Sequence, residues 1–284
     1  VQIKKNSLWG QVFNRLKKNR MAIFGIGILL ILLITALFAD FIAPYPFDEQ
    51  DLFSTLQGPC SAHWFGTDEF GRDILSRIIY GSRISLQVGF VAVGFSVITG
   101  GFIGALAGYY GGRTDNILMR LMDILLSIPQ LLLAISVAAS LGPGLLNLMM
   151  AVGIAAIPQY ARLVRASVLS IRDQEYVEAA VSVGSSDLRI ICRHILPNCM
   201  APIIVQATLG VAFAILIAAG LSFIGLGLEP PTPEWGAMLS GGREFIRDYP
   251  YMTIFPGLAI MITILGLNFL GDGLRDALDP KLRN

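Results

Sequence analysis

The sequence predicts an all-α integral membrane protein with about six transmembrane helices, and three observations predict it. Of the 284 residues, 54% are hydrophobic and 14% charged, where an average soluble domain carries roughly 25% charged residues. Five stretches lack Asp, Glu, Lys, Arg and His altogether: Met21–Ala39, Ile84–Gly112, Ile124–Ala161, Ile195–Leu228 and Tyr249–Gly271. Together they hold half of the chain, and each is long enough for the ~20 apolar residues that cross ~30 Å of hydrocarbon. The net charge is only +1, with no cationic surface on a soluble fold. This composition excludes a soluble enzyme, a disordered chain and a nucleic-acid binder.

In residues 1–20, Leu8, Trp9, Val12, Phe13 and Leu16 recur at helical spacing with basic residues between them. They predict an amphipathic helix lying on the inner membrane surface. The first transmembrane helix is expected over 21–43. Met21–Ala39 is too long for a signal-peptide core and runs into Asp40 and Pro44 without a small-residue cleavage site, so it stays as a span. An extracytoplasmic loop over 44–83 follows, and 84–272 forms a five-helix core. Its first helix repeats Ser96, Gly100, Gly104 and Gly108 at four-residue spacing, a stripe that lets another helix approach closely. The longest charge-free stretch can cross twice and splits at Gly142-Pro143-Gly144, predicting helices over 124–141 and 145–161. A cytoplasmic loop over 162–198 and an extracytoplasmic loop over 229–248 flank the fifth span, and 273–284 forms a cytoplasmic tail.

The charges orient this arrangement. With a cytoplasmic N-terminus, sixteen of the Lys and Arg residues face inward and five face outward: Arg72, Arg77, Arg83, Arg243 and Arg247. The positive-inside rule therefore places both termini in the cytoplasm. The spans themselves hold almost no ionisable group. Asp123 lies one turn inside the third helix, and Asp40 and Asp272 sit at helix ends. A proton- or sodium-coupled carrier retains such groups at the midplane, so an ion-coupled secondary transporter is disfavoured.

ATP is the alternative drive, but none of Lys4, Lys5, Lys17, Lys18 and Lys281 stands in a phosphate-cradling G-x-x-x-x-G-K-[ST] loop. ATP hydrolysis would belong to a separate subunit. Cys60, Cys192 and Cys199 have neither disulfide nor zinc-site spacing. No Ser/His/Asp, Cys/His or metal cluster falls in one layer, so no catalytic residue, cofactor or metal site is expected in this chain.

The most informative segment is 173–197. Asp173 is expected to cap a short helix, with Glu175 in its first turn, where the helix dipole favours negative charge. Gly184 suits the position that ends it. Ser185 or Ser186 then caps a second helix, which gives way to the fifth span at Pro197-Asn198. Glu178-Ala179-Ala180, Gly184 and Leu196-Pro197 stand at the spacing of the EAA signature, and so resemble permease subunits of ATP-binding-cassette (ABC) importers. His194 replaces the usual isoleucine, with Ile195 beside it.

Further segments narrow the resemblance: His63 to Arg77, Pro230 to Leu239, and Gly271 to Pro280. They resemble the dipeptide, oligopeptide and nickel permease family, in its second type of permease subunit, from about residue 15 onward. The resemblance implies a type I importer permease (MetI-like) fold in a multi-pass bacterial or archaeal inner membrane. It implies a homologous second permease, two cytoplasmic ATPases holding ATP and Mg, and an extracytoplasmic solute-binding protein. It gives Tyr176, Glu178, Ala179, Ala180, Gly184, Leu196 and Pro197 to ATPase coupling. Trp64, Asp68, Arg72 and Trp235 become candidates for docking the binding protein. Peptides are the family's commonest cargo, with glutathione and nickel as neighbours; His63 and His194 both lie outside the spans and form no nickel ladder.

Overall fold

The structure, a computed structural model, describes residues 8–278; Lys4, Lys5, Asp279-Pro280, Lys281 and Arg283 lie outside them. A surface helix α1 (Leu8–Leu16) leads into α2 (Arg20–Leu37), whose first turn is capped by Asn19: its side-chain oxygen accepts from the Met21 and Ala22 amides. A single turn, α3 (Ala39–Ile42), ends the first span. The chain then folds as a loop until Asp73 caps α4 (Ile74–Tyr110), accepting from the Ser76 amide at 2.7 Å. This helix starts ten residues ahead of the charge-free stretch. Arg77 and Arg83 mark the end of the hydrocarbon layer, whereas backbone bonding carries the helix past it.

The helix predicted over 124–141 is replaced by a broken pair. α5 (Gly112–Leu126) and α6 (Gln130–Leu141) meet at a bend of 89° across Ser127-Ile128-Pro129. Pro129 has no amide to donate and drives Ile128 out of helical geometry, which stops the run although it is apolar throughout. Gly142-Pro143-Gly144 does separate α6 from α7 (Leu145–Leu169), which runs eight residues past its predicted end at Ala161. After the short helices α8 (Glu175–Ser182) and α9 (Asp187–Ile190), a π-helical turn at Ile191–Ile195 joins α10 (Leu196–Phe223). The loop after α10, at the end of the bundle away from α8 and called the outer end, carries α11 (Trp235–Gly242), and α12 (Tyr251–Leu278) closes the bundle.

Four described helical segments are long and apolar enough to cross a membrane, or five when the bent pair counts as one. The sixth predicted crossing lies in α7, which has 25 residues but is diluted by Asn147, Gln159 and Arg162. Phe24, Ile31, Phe90, Ile98 and Phe102 present a broad apolar exterior, as a lipid-facing surface requires.

The small-residue stripe of α4 meets α7 of the same chain. Ser96 Oγ donates to the Gly153 carbonyl at 2.7 Å. A Cβ on Gly100 would stand 2.6 Å from the Ile157 carbonyl oxygen, and one on Gly108 2.8 Å from Val168 Cβ. Gly104 faces the Ala161 carbonyl in the same way. In the loop after α10, Glu234 caps α11 from a buried position, accepting from Gly236 N at 3.0 Å and Ala237 N at 2.8 Å. Burial pushes its carboxyl pKa up, and the two backbone amides hold it back.

Two outcomes test this packing. Gly100→Ala should cost about 1–3 kcal/mol as overpacking, read as a lower melting temperature in detergent. Gly101→Ala, whose Cβ would find its nearest neighbour at 3.9 Å, should be silent. Because the folded state holds the Glu234 proton more tightly than the unfolded one, this residue's contribution to stability falls as pH rises above the usual glutamate range. Melting curves of Glu234→Gln should lose that part of the pH dependence.

Candidate functional site

At one end of the bundle the chain builds a short lever. α8 buries Val177 and Ala180 in a cluster with Val164, Val168, Ile190 and Ile195, which roots it on α7, α9 and the π-helical turn. Glu175, Tyr176, Glu178 and Ala179 remain exposed on its opposite face. The helix stops at Gly184 with φ +76°: the Ser185 amide donates to Ala180 O at 3.1 Å and the Gly184 amide to Val181 O at 2.9 Å. This paired pattern is the Schellman turn, and the positive φ is what asks for glycine. Val181, Val183 and Leu188 stand out around the turn with Tyr176, an apolar surface left uncovered by the described residues.

Two local expectations are corrected. Gln174, not Asp173, occupies the N-cap position, and it makes no side-chain cap bond. Asp173 instead pairs with Arg172 Nε at 3.2 Å. The second helix does not give way at Pro197: 187–223 is continuous, with a π turn where the Leu196 amide reaches Ile191 O. Pro197 offers no amide to the turn behind it, so the chain accommodates the proline by widening one turn. Ser186 stands at the start of α9 without a side-chain cap bond. Leu196 packs against the cluster beneath α8, while Pro197 is exposed.

The lever is tied to the spans by polar contacts. Tyr109 OH donates to Asp187 at 2.9 Å, Arg172 Nη1 to Gly108 O at 2.9 Å, and Arg165 grips Asp115 with two nitrogens at 2.5 and 2.6 Å. The last pair pins α5 to α7, a bidentate fit that arginine and carboxylate geometry favours.

The docking candidates at the other end divide. Trp64 is 69% exposed. Trp235 is 0% exposed: it donates from Nε1 to Ile78 O at 3.1 Å and covers Gly81, so its side chain offers no surface to a partner. Asp68 and Arg72 are also buried. Arg72 Nε donates to Asp68 at 2.6 Å, with Arg77 Nε 3.6 Å from the same carboxylate. Arg77 further donates to the Phe47 and Pro231 carbonyls at 3.0 and 3.1 Å, which ties the loop over 43–73 to the loop before α11. These three charged residues organise the outer loops from within.

Three cavities follow α10. The outer one, about 750 Å³, is lined by Asp68, Arg72, Arg77, Ser222 and Arg243 among others. A central one of about 320 Å³ is lined by Gln130, Gln159, Tyr160 and Gln206. The third, about 610 Å³ at the lever end, shares Gln206 and Leu209 with it. Between the outer and central cavities α10 buries Ile215, Ile217, Ala218 and Leu221. The glutamines escaped the sequence reading because counting charges passes over neutral amides; polar residues within charge-free runs were the available signal.

Residues 100–284 match the family described as binding-protein-dependent transport system inner membrane component, and 7–59 match the N-terminal TM domain of oligopeptide transport permease C. The chain is 50% identical over 278 residues to a dipeptide transport system permease protein DppC of Alkalihalophilus pseudofirmus, covering 98% of this chain and 91% of the relative. It is 44% identical over 277 residues to a glutathione transport system permease protein GsiD of Pectobacterium atrosepticum, covering 97% and 92%. A solved inward-facing MetNI methionine ABC transporter contains a chain that superposes with TM-score 0.59 at 18% identity, over 72% of this chain and 98% of that one; this likeness concerns the fold. A multi-pass helical bundle of this architecture, matched over nearly its whole length, belongs to the binding-protein-dependent inner membrane permeases of ABC importers, in the dipeptide and oligopeptide branch.

Proposed function

We propose that this chain forms half of a translocation pathway for di- or oligopeptides, paired with a homologous permease and supplied by an extracytoplasmic binding protein. Two cytoplasmic ATPases, carrying ATP and Mg, drive it through α8. The observation that carries this reading is the lever itself: a helix anchored by Val177 and Ala180, ended by Gly184, and presenting Tyr176, Val181 and Val183 as a surface that the described residues do not cover. The relatives named for dipeptides and glutathione support the substrate class, since glutathione is itself a peptide; glutathione is the second reading.

The inward excess of cationic residues supports cytoplasmic termini, which puts the lever on the ATPase side. The cavities support an inward-facing resting arrangement: the central one continues toward the lever, and buried α10 residues separate it from the outer one. In the proposed cycle, ATP closes the ATPase pair, α8 moves with it, and the spans open outward to a loaded binding protein. Hydrolysis and product release restore the inward arrangement. Outside, Trp64 remains the exposed docking candidate, and Asp68, Arg72 and Trp235 act by shaping the loops beneath it.

Val183 is 81% exposed, so Val183→Glu should leave the fold intact. As an interface hot spot it should weaken ATPase binding by about 2 kcal/mol, seen as loss of the ATPases on copurification and of peptide-stimulated ATP hydrolysis in proteoliposomes. An unchanged complex with full stimulation would refute the lever. Gly184→Ala adds a Cβ with nothing within 4 Å but at φ +76°, a backbone penalty of about 1–2 kcal/mol. It should slow uptake while the melting temperature of the spans holds.

A further inference from the structure

Three neutral amides meet in the central cavity between α4, α6, α7 and α10. Gln130 opens α6, Gln159 lies within α7 and Gln206 within α10, and among the described residues no charged side chain and no histidine lines the cavity. Among the described residues, none of the three side-chain amides has a hydrogen-bond partner. Gln159 is exposed and Gln130 and Gln206 are half-buried, so each amide is open to an occupant of this cavity. Three of them on three helices, aimed at one space, define a place for a polar occupant.

We propose that Gln130, Gln159 and Gln206 form an uncharged transit site for the peptide main chain of the solute, a step that rests on the peptide reading above. A carboxamide both donates and accepts, so it matches a peptide carbonyl and a peptide N–H alike. The main chain is common to all peptides, which makes such a site indifferent to side-chain identity. The absence of charge also serves passage: a site on a pathway must bind well enough to admit the solute and weakly enough to release it. Release has a route, because Gln206 and Leu209 also line the cavity toward the lever, with Ser167, Asn198 and Arg275. Tyr160 is the positioning residue. Its ring is buried, and its hydroxyl packs on Gly210 and donates to the Gln206 carbonyl at 3.4 Å, holding α10 in register with α7.

The test uses the complete transporter in proteoliposomes, with binding protein, ATPases and partner permease, and radiolabelled dialanine as the probe. Gln159→Leu and Gln206→Leu should each lower initial uptake about tenfold, the worth of one or two amide hydrogen bonds, while the subunits still copurify. Gln159→Asn should recover part of the loss. In a background lacking Cys60, Cys192 and Cys199, Gln159→Cys should react with a water-soluble methanethiosulfonate, and dialanine turnover should slow that reaction severalfold. Leucine variants that move dialanine at the wild-type rate would overturn the site and leave the peptide reading standing. A wild-type assembly that moves no peptide would overturn both. An inert Gln159→Cys, with leucine variants that shed the partner permease, would show the amides to be subunit contacts and overturn the site.

Discussion

The close approach of α4 and α7 is the constraint on which the rest of the structure depends. Without side chains at Gly100 and Gly104, and with only a hydroxyl at Ser96, the two backbones come near enough for a carbonyl on α7 to accept from Ser96. In lipid no hydrophobic force drives helices together, so this contact rests on dispersion and on that buried hydrogen bond. Its consequences reach both ways along α7. Toward one end, Val164 and Val168 become the floor on which α8 sits. In the middle, Gln159 and Tyr160 are brought to face α10 across the central cavity.

Polar groups in the molecule are layered, and each layer follows the local dielectric. At the outer end, Asp68, Arg72 and Glu234 in the loops and Arg77 in the first turn of α4 are buried among loop segments that can supply backbone amides and carbonyls to satisfy them. Burying charges is tolerable only when each finds such partners, and the return is specificity of loop position more than net stability. At the lever end, Arg165–Asp115 ties α7 to α5 and Arg172 ties the loop after α7 to α4, where the chain meets water. Between these layers only amides, hydroxyls and apolar groups line the space.

How much was legible in the sequence depends on which physical signal each feature leaves. Gly184 was readable because a helix end that needs positive φ names its own residue. The small-residue stripe was readable as a stripe, but its partner was not, since spacing on one helix says nothing about which neighbour fills it. Charge-free runs report where lipid is, not where helices stop; hence the early start of α4 at Ile74 and the late end of α7 at Leu169. The bend at Pro129 was hidden because composition averages over a breaker. Trp235, Asp68 and Arg72 look like surface contacts in an outer loop, and only the tertiary structure shows that the loop folds inward around them. The neutral glutamines left no trace in a count of charges.

The continuity from α9 through α10 gives the proposed coupling its mechanics. Residues 187–223 form one helical element that starts beside α8, passes Gln206 at the central cavity and ends at Ser222 on the outer one. A helix transmits displacement along its axis because its bonds act in series. Here one turn, Ile191–Ile195, is widened, and the Asn198 side chain donates to His194 O at 2.7 Å across the interrupted stretch. That turn lies between the buried anchors Ile190 and Ile195, so it is held by packing on both sides. A push on α8 therefore reaches α10 through the shared apolar floor and is carried past the turn to the segment holding Gln206. In the proposed cycle the movement that opens or seals the outer cavity would then shift one wall of the amide site, linking release of the solute to the state of the ATPases through a central cavity that no described charged residue lines.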